Sequence, residues 1–144
     1  MYLIDTNVVS EARKQARANQ GVIHFFKTAI AANTALYVSA VTVGELRRGV
    51  DLIRYRGDAA QAALLEAWLA TILADFASNI LGFDADTAQV WGRLRVPDPA
   101  HEVDKLIAAT ALVYGLTVVT RNVADFAGTG VKLKNPFLPA QAGG

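Results

Sequence analysis

A chain of 144 residues, 53% apolar and 19% charged, is long enough to bury one core without disulfides or a structural metal. Cysteine is absent and the formal net charge is +1, which excludes a disulfide framework, cysteine-based zinc or redox chemistry, and a globally basic surface for nucleic acid. The apolar share exceeds the roughly 45–50% usual in soluble domains, so either the core is rich in Ala, Leu and Val or another chain covers part of the surface, as in a homodimer or with a dedicated protein partner.

The opening Tyr2-Leu3-Ile4 is a short apolar run that meets a carboxylate at Asp5. It lacks the basic start of a secretory signal, so a cytoplasmic location is expected. The run has the composition of a buried strand that hands over through Asp5-Thr6-Asn7 to a helix over Val8 to Arg17. Gly21 breaks that pattern, and Val22, Ile23, Phe25, Phe26 and Ile30 then recur at helical spacing. Leu36-Tyr37-Val38 is the next strand. A helix follows from Thr42, its core face marked by Val43, Leu46, Val50 and Ile53.

Gly57-Asp58 separates this helix from a long Ala- and Leu-rich one over Ala59 to Phe76. Ile80 to Phe83 predicts a brief strand, and Asp84 or Asp86 caps a helix bearing Ala88, Val90, Trp91 and Leu94. Pro97 and Pro99 make the stretch from Val96 to Glu102 a loop that delivers Val103-Asp104 to a helix over Asp104 to Tyr114, apolar nearly all round and so buried on more than one side. Gly115 ends it. Leu116 to Val119 is a strand, Asn122 to Phe126 a turn or short helix, and Val131 to Leu133 a last edge strand. The longest apolar stretch, Leu106 to Val119, is shorter than the ~20 residues of a spanning helix, so no membrane span is predicted. Residues 1–138 form the expected domain and 139–144 a tail.

Strands alternating with helices of ten or more residues imply βαβ units, hence a three-layer α/β/α sandwich on a mostly parallel sheet. Ligands bind such sheets beyond the carboxyl ends of the strands, at the point where strand order reverses. Asp5 follows the first strand and Asp125 lies beyond the Leu116 to Val119 strand, while Glu45 and Asp104 are placed on the first turns of helices at the same edge. Ionised carboxylates gathered there repel, and a divalent cation relieves them. Oxygen donors, with no cysteine and no histidine at helical spacing from the acids, point to Mg²⁺ or Mn²⁺. Such an ion supports phosphodiester hydrolysis. Arg13, Lys14, Arg47, Arg48 and Arg121 lie a few residues from the acids and are candidates to hold flanking phosphates. Three of the acids also have a structural reading, Asp5 and Asp125 as helix caps and Thr42-x-x-Glu45 as a capping box, whereas Asp104 precedes a nearly all-apolar helix, where a carboxylate is costly unless paired or used.

Four segments, Leu3-Ile4-Asp5-Thr6-Asn7-Val8-Val9-Ser10-Glu11, Val41-Thr42-Val43-Gly44-Glu45-Leu46-Arg47-Arg48-Gly49, Asp104-Lys105-Leu106-Ile107-Ala108-Ala109-Thr110-Ala111 and Thr120-Arg121-Asn122-Val123-Ala124-Asp125-Phe126, resemble in order and separation the motifs of PIN-domain ribonucleases of the VapC and FitB toxin kind. The resemblance implies a single-stranded-RNA endonuclease that uses Mg²⁺ or Mn²⁺, forms a homodimer and is inhibited by a small cognate antitoxin. By residue, Asp5, Glu45 and Asp104 match the three core metal-binding acids and Asp125 the more variable fourth, with Thr6, Asn7, Thr120 and Asn122 as polar positions around them. The local negative field is expected to attract a basic antitoxin segment. Lys105 departs from the pattern, and its ammonium is expected to compete with or tune the metal; His101 and Glu102 are read as loop residues. Two other readings remain: a Mg²⁺-dependent phosphohydrolase of another class, suggested by Asp5-Thr6-Asn7, and a non-catalytic RNA- or protein-binding module.

Overall fold

Leu3 and Ile4 are both fully buried, yet they face opposite ways, as successive residues of a strand must. They belong to β1 (Tyr2–Ile4), which pairs in parallel with β2 (Leu36–Ser39) on one side and β4 (Thr117–Val119) on the other. In this computed structural model, which describes residues 1–139, the two-residue strands β3 (Ile80–Leu81) and β5 (Leu133–Lys134) add parallel edges, giving the order β3-β2-β1-β4-β5. All of these pairings are parallel, which explains why β1, β2 and β4 read as near-continuous apolar runs rather than alternating ones.

Each face of the sheet has its own core. Ile4, Val38 and Val119 pack with residues of α1 (Thr6–Ala12), α2 (Gln20–Ala31), α3 (Ala40–Tyr55) and α4 (Ala59–Asp75). Leu3 and Val118 pack on the other side against α6 (Glu102–Tyr114), with Leu94 of α5 (Ala85–Leu94) alongside. The expected α/β/α sandwich is the observed one. Among the described residues no helix is long and apolar enough to cross a membrane.

The differences from expectation are local. The first helix ends at Ala12 and a separate 3₁₀ turn covers Gln15–Arg17, because Gln15 takes a left-handed backbone at φ 53. Gly21 lies inside the first turn of α2, whose start Asn19 caps by accepting from the Gly21 N–H at 2.9 Å. A Cβ at Gly21 would run into the Pro136 carbonyl and the Leu138 backbone, so this glycine permits a close approach rather than a break. Asn19 also pins that segment, with its amide donating to the Leu138 carbonyl at 2.9 Å and its Oδ1 accepting from the Leu138 N–H at 3.0 Å. The tail expected over 139–144 lies, except for Pro139, outside the described residues.

Ser39, not Thr42, caps α3, accepting from the Val41 N–H at 3.1 Å. Thr42 is therefore a buried interior residue and Glu45 stands in the second turn rather than the first, which removes the capping-box reading. Asp84 is the cap of α5, bonded to both the N–H and the hydroxyl of Thr87 at 2.9 and 2.8 Å. The last helix starts two residues before Asp104, and Gly115, at φ 66, ends it as expected. Its burial holds through Ala111 and then lapses, since Leu112, Val113 and Tyr114 are each about two-fifths exposed.

Candidate metal centre

Strand order reverses between β1 and β4: the chain builds outward from β1 through β2 to β3, then returns to lay β4 on the opposite side. The crevice beyond the carboxyl ends of β1 and β4 is thus the place where a parallel sheet leaves room for a ligand. Asp5 is the residue after β1, Thr120 the residue after β4, and the two side chains meet there. The Thr120 hydroxyl donates to Asp5 Oδ2 at 2.8 Å, and the Asn7 amide donates to the same oxygen at 3.2 Å. Oδ1 accepts from the Thr6 N–H at 2.8 Å, so Asp5 does cap α1, but with only one of its oxygens. Burial pushes its carboxyl up, hydrogen bonds from Thr120, Thr6 and Asn7 oppose that, and Glu45 adds a further push upward.

The other polar positions extend this arrangement unequally. Asn7 spans the crevice, since its Oδ1 accepts from the Arg121 N–H at 3.0 Å. The hydroxyl of Thr6 reaches Thr42 at 3.4 Å. Asn122 contributes through its backbone N–H, which donates to the Thr120 hydroxyl at 3.1 Å.

Asp104 feels the charge of the other three acids. It lies in the first turn of α6, where the helix dipole favours a negative charge, yet its pKa is pushed up to about 6, by burial first, then by Asp5, Asp125 and Glu45, with His101 opposing. A carboxylate raised by three others is within electrostatic reach of all of them. Glu45 projects from α3 into a small cleft of about 170 Å³ that it shares with Thr6, Ser10, Arg13 and Trp68. Asp125 sits in the 3₁₀ turn Val123–Phe126.

One member of the group was missed by sequence reasoning. His101, the residue preceding α6, brings its Nδ1 to 3.7 Å from Asp104 Oδ2 and 4.0 Å from Asp125 Oδ1. It stands three residues before Asp104, one helical turn away, and that spacing was the available signal; the premise that no histidine is so placed is corrected. Lys105 corrects in the other direction. It is buried and donates to the Asp98 carbonyl at 2.6 Å, in a pocket lined by Leu94, Pro97 and Thr129. Its ammonium is directed to this loop carbonyl.

The basic candidates divide. Arg13 lines the cleft with Glu45, and Arg121 stacks its guanidinium over the Phe137 ring at 4.8 Å while its backbone binds Asn7. Lys14 is paired with Glu11 at 3.0 Å, and Arg47 with Glu66 at 2.7 Å. Arg48 is exposed and makes no ion pair among the described residues.

Of the four acids, Asp104 and Asp125 come within ligand distance of one another, together with His101, while Asp5 and Glu45 act on Asp104 through charge and lie outside that group; oxygen donors of this kind suit a divalent ion. A single atom each of His101, Asp104 and Asp125 lies within 4.8 Å of the others. Comparison with known proteins bears on the family and the fold. The PIN domain family model matches residues 2–130. Toxin FitB from Neisseria gonorrhoeae is 35% identical over 142 residues, which cover 95% of this chain and 99% of that one. VapC ribonuclease Y4jK from Sinorhizobium fredii is 30% identical over 145 residues, covering 97% and 100%. The solved structure of FitAcB from Neisseria gonorrhoeae superposes with a TM-score of 0.81 at 35% identity, over 94% of this chain and 98% of that one.

Proposed function

Because the chain belongs to the PIN-domain family of FitB and VapC toxins, we propose that it is a metal-dependent endoribonuclease toxin that hydrolyses single-stranded RNA. The observation that carries this reading is Asp104, raised to about 6 by burial first and then by the charges of Asp5, Asp125 and Glu45. Asp5, Glu45, Asp104 and Asp125 would hold Mg²⁺ or Mn²⁺. A bound divalent ion supplies polarisation of the phosphodiester and a bound water of lowered pKa.

The protein's own groups do the positioning. Thr120 and Asn7 fix Asp5 Oδ2, and the Thr6 N–H fixes Oδ1, so this carboxylate has one orientation. Glu45 has no hydrogen-bond or ion-pair partner among the described residues and offers both of its oxygens. Asp104 is the group that takes up a proton when no cation balances the cluster. Arg13 in the adjoining cleft and Arg121 beyond β4 are placed to bind phosphates on either side of the scissile one, with exposed Arg48 as a further candidate. Lys14 and Arg47 would have to leave their ion pairs to take part.

The same unmatched acids favour inhibition by a basic segment of a cognate antitoxin. The apolar groove of about 510 Å³ between the 3₁₀ turn and α2, lined by Ala12, Ala16, Val22, Ile23, Phe26 and Ile30, would seat the antitoxin's apolar residues. Exposed Val103, Leu112, Val113 and Tyr114 on α6 support a homodimer.

The test uses labelled single-stranded RNA with Mg²⁺, with chelator, and with Asp5→Asn protein. Cleavage in the first reaction alone supports the proposal. Turnover of small phosphate esters through a trapped phosphoaspartate would replace it with a phosphohydrolase, and RNA retention without cleavage would leave a binding module.

A further inference from the structure

His101 faces the acids but has no part in the reading above. At φ 57 its backbone is left-handed, and the ring that starts α6 sets Nδ1 between two carboxylates, 3.7 Å from Asp104 Oδ2 and 4.0 Å from Asp125 Oδ1. Neither distance is a hydrogen bond, which closes at about 2.7–3.2 Å. Both fall among the separations of donors that share one ion: with bonds of about 2.1 Å, donors at right angles stand about 3.0 Å apart and opposed donors about 4.2 Å apart. All three ligand atoms lie within 4.8 Å of one another, and the ring is half exposed.

We propose that His101 Nδ1 is a ligand of the cation held by Asp104 and Asp125, and that this imidazole shifts the site from Mg²⁺ toward first-row transition-metal dications. The chemistry follows from the donor set. Carboxylate and water suit Mg²⁺, whereas an imidazole nitrogen strengthens binding of transition metals far more. The inference rests on the metal-dependent reading above but is separable from it.

The test titrates the metal-free full chain with Mn²⁺ alone and with Mg²⁺ alone by calorimetry, and records pulsed electron paramagnetic resonance of the Mn²⁺ complex. His101→Gly is the informative variant, because glycine accepts the left-handed backbone without strain and circular dichroism will report an intact fold. The wild-type complex shows ¹⁴N coupling to Mn²⁺ that His101→Gly abolishes. The variant loses at least about tenfold in Mn²⁺ affinity, the lower end of what even outer partners of a metal site cost, while its Mg²⁺ affinity moves by less than about threefold. Mn²⁺ bound without nitrogen coupling, or equally tightly by both proteins, overturns the role of His101 and leaves the metal centre standing. Mn²⁺ that fails to bind, or binds the Asp104→Asn protein as well as wild type, overturns both.

Discussion

Glu66 and Asp104 are both helical carboxylates, and their surroundings push them in opposite directions. Glu66, on α4, lies between Arg47 at 2.7 Å and Arg54 at 2.9 Å, and these two arginines hold its carboxyl below the usual range. Asp104, on α6, is pushed up to about 6 by burial first and then by the charges of Asp5, Asp125 and Glu45. The α3–α4 face carries its counter-charges within the chain and needs nothing more. The crevice beyond β1 and β4 concentrates one sign of charge around Asp104, opposed there by the half-exposed His101. Surface acids are common, so the absence of matching cations, rather than the number of acids, separates a candidate site from a solvated face.

That contrast can be broken most sharply by activity. Asp104→Asn is expected to lower RNA cleavage at least about a hundredfold, the loss typical of removing one group that stabilises transition-state charge, whereas Glu66→Gln leaves the rate unchanged; gel assays at fixed Mg²⁺ measure both. Cation binding comes next. Saturation to about 100 times the dissociation constant adds about 2.7 kcal/mol of stability, visible as a rise in melting temperature that Asp104→Asn loses and Glu66→Gln retains. Equal rises in all three proteins would remove the distinction.

A smaller effect concerns pH. Asp104 in the folded chain titrates about 6, against an ordinary value of 3.8, so between these limits the folded state binds more protons than the unfolded one. Stability of the chelated protein therefore falls as pH rises through roughly 4 to 6 and levels off above. Asp5, raised in the same direction by burial, adds to that slope. Urea denaturation in chelator across this window should show the decline, and Asp104→Asn should flatten it and gain on the order of 1 to 2 kcal/mol at neutral pH, less than the full shift implies because part of the side chain meets solvent. The smallest effect belongs to the paired face: Glu66→Gln lowers the melting temperature slightly in low salt, and high salt erases the difference.

Much of this architecture is legible in the sequence because it follows from local pattern. Leu3-Ile4, Val38 and Val118-Val119 are apolar runs too short for helices, and Asp5, Asp58, Asp84 and Gly115 stop and start elements by chemistry visible within a few residues. What sequence could not show depends on distant partners. Gly21 reads as a break until Pro136 and Leu138 are laid against it. Choosing Ser39 over Thr42 as the cap of α3 depends on where β2 releases the chain, and the choice moved Glu45 by a turn. The partner of Arg47 is Glu66, nineteen residues on, and Lys105 turns to a loop carbonyl although its neighbour faces the acids. His101 was passed over because loop placement hides direction. Its left-handed backbone aims the ring, and no residue type announces that conformation.

The bond from Thr120 to Asp5 joins residues 115 positions apart, and its consequence concerns synthesis. Asp5 is synthesised well before Thr120, and its carboxylate acquires its full set of donors only after β4 has been laid beside β1. Until then the crevice has one wall. An activity of the kind proposed would thus stay latent on the ribosome until β4 has emerged and paired with β1.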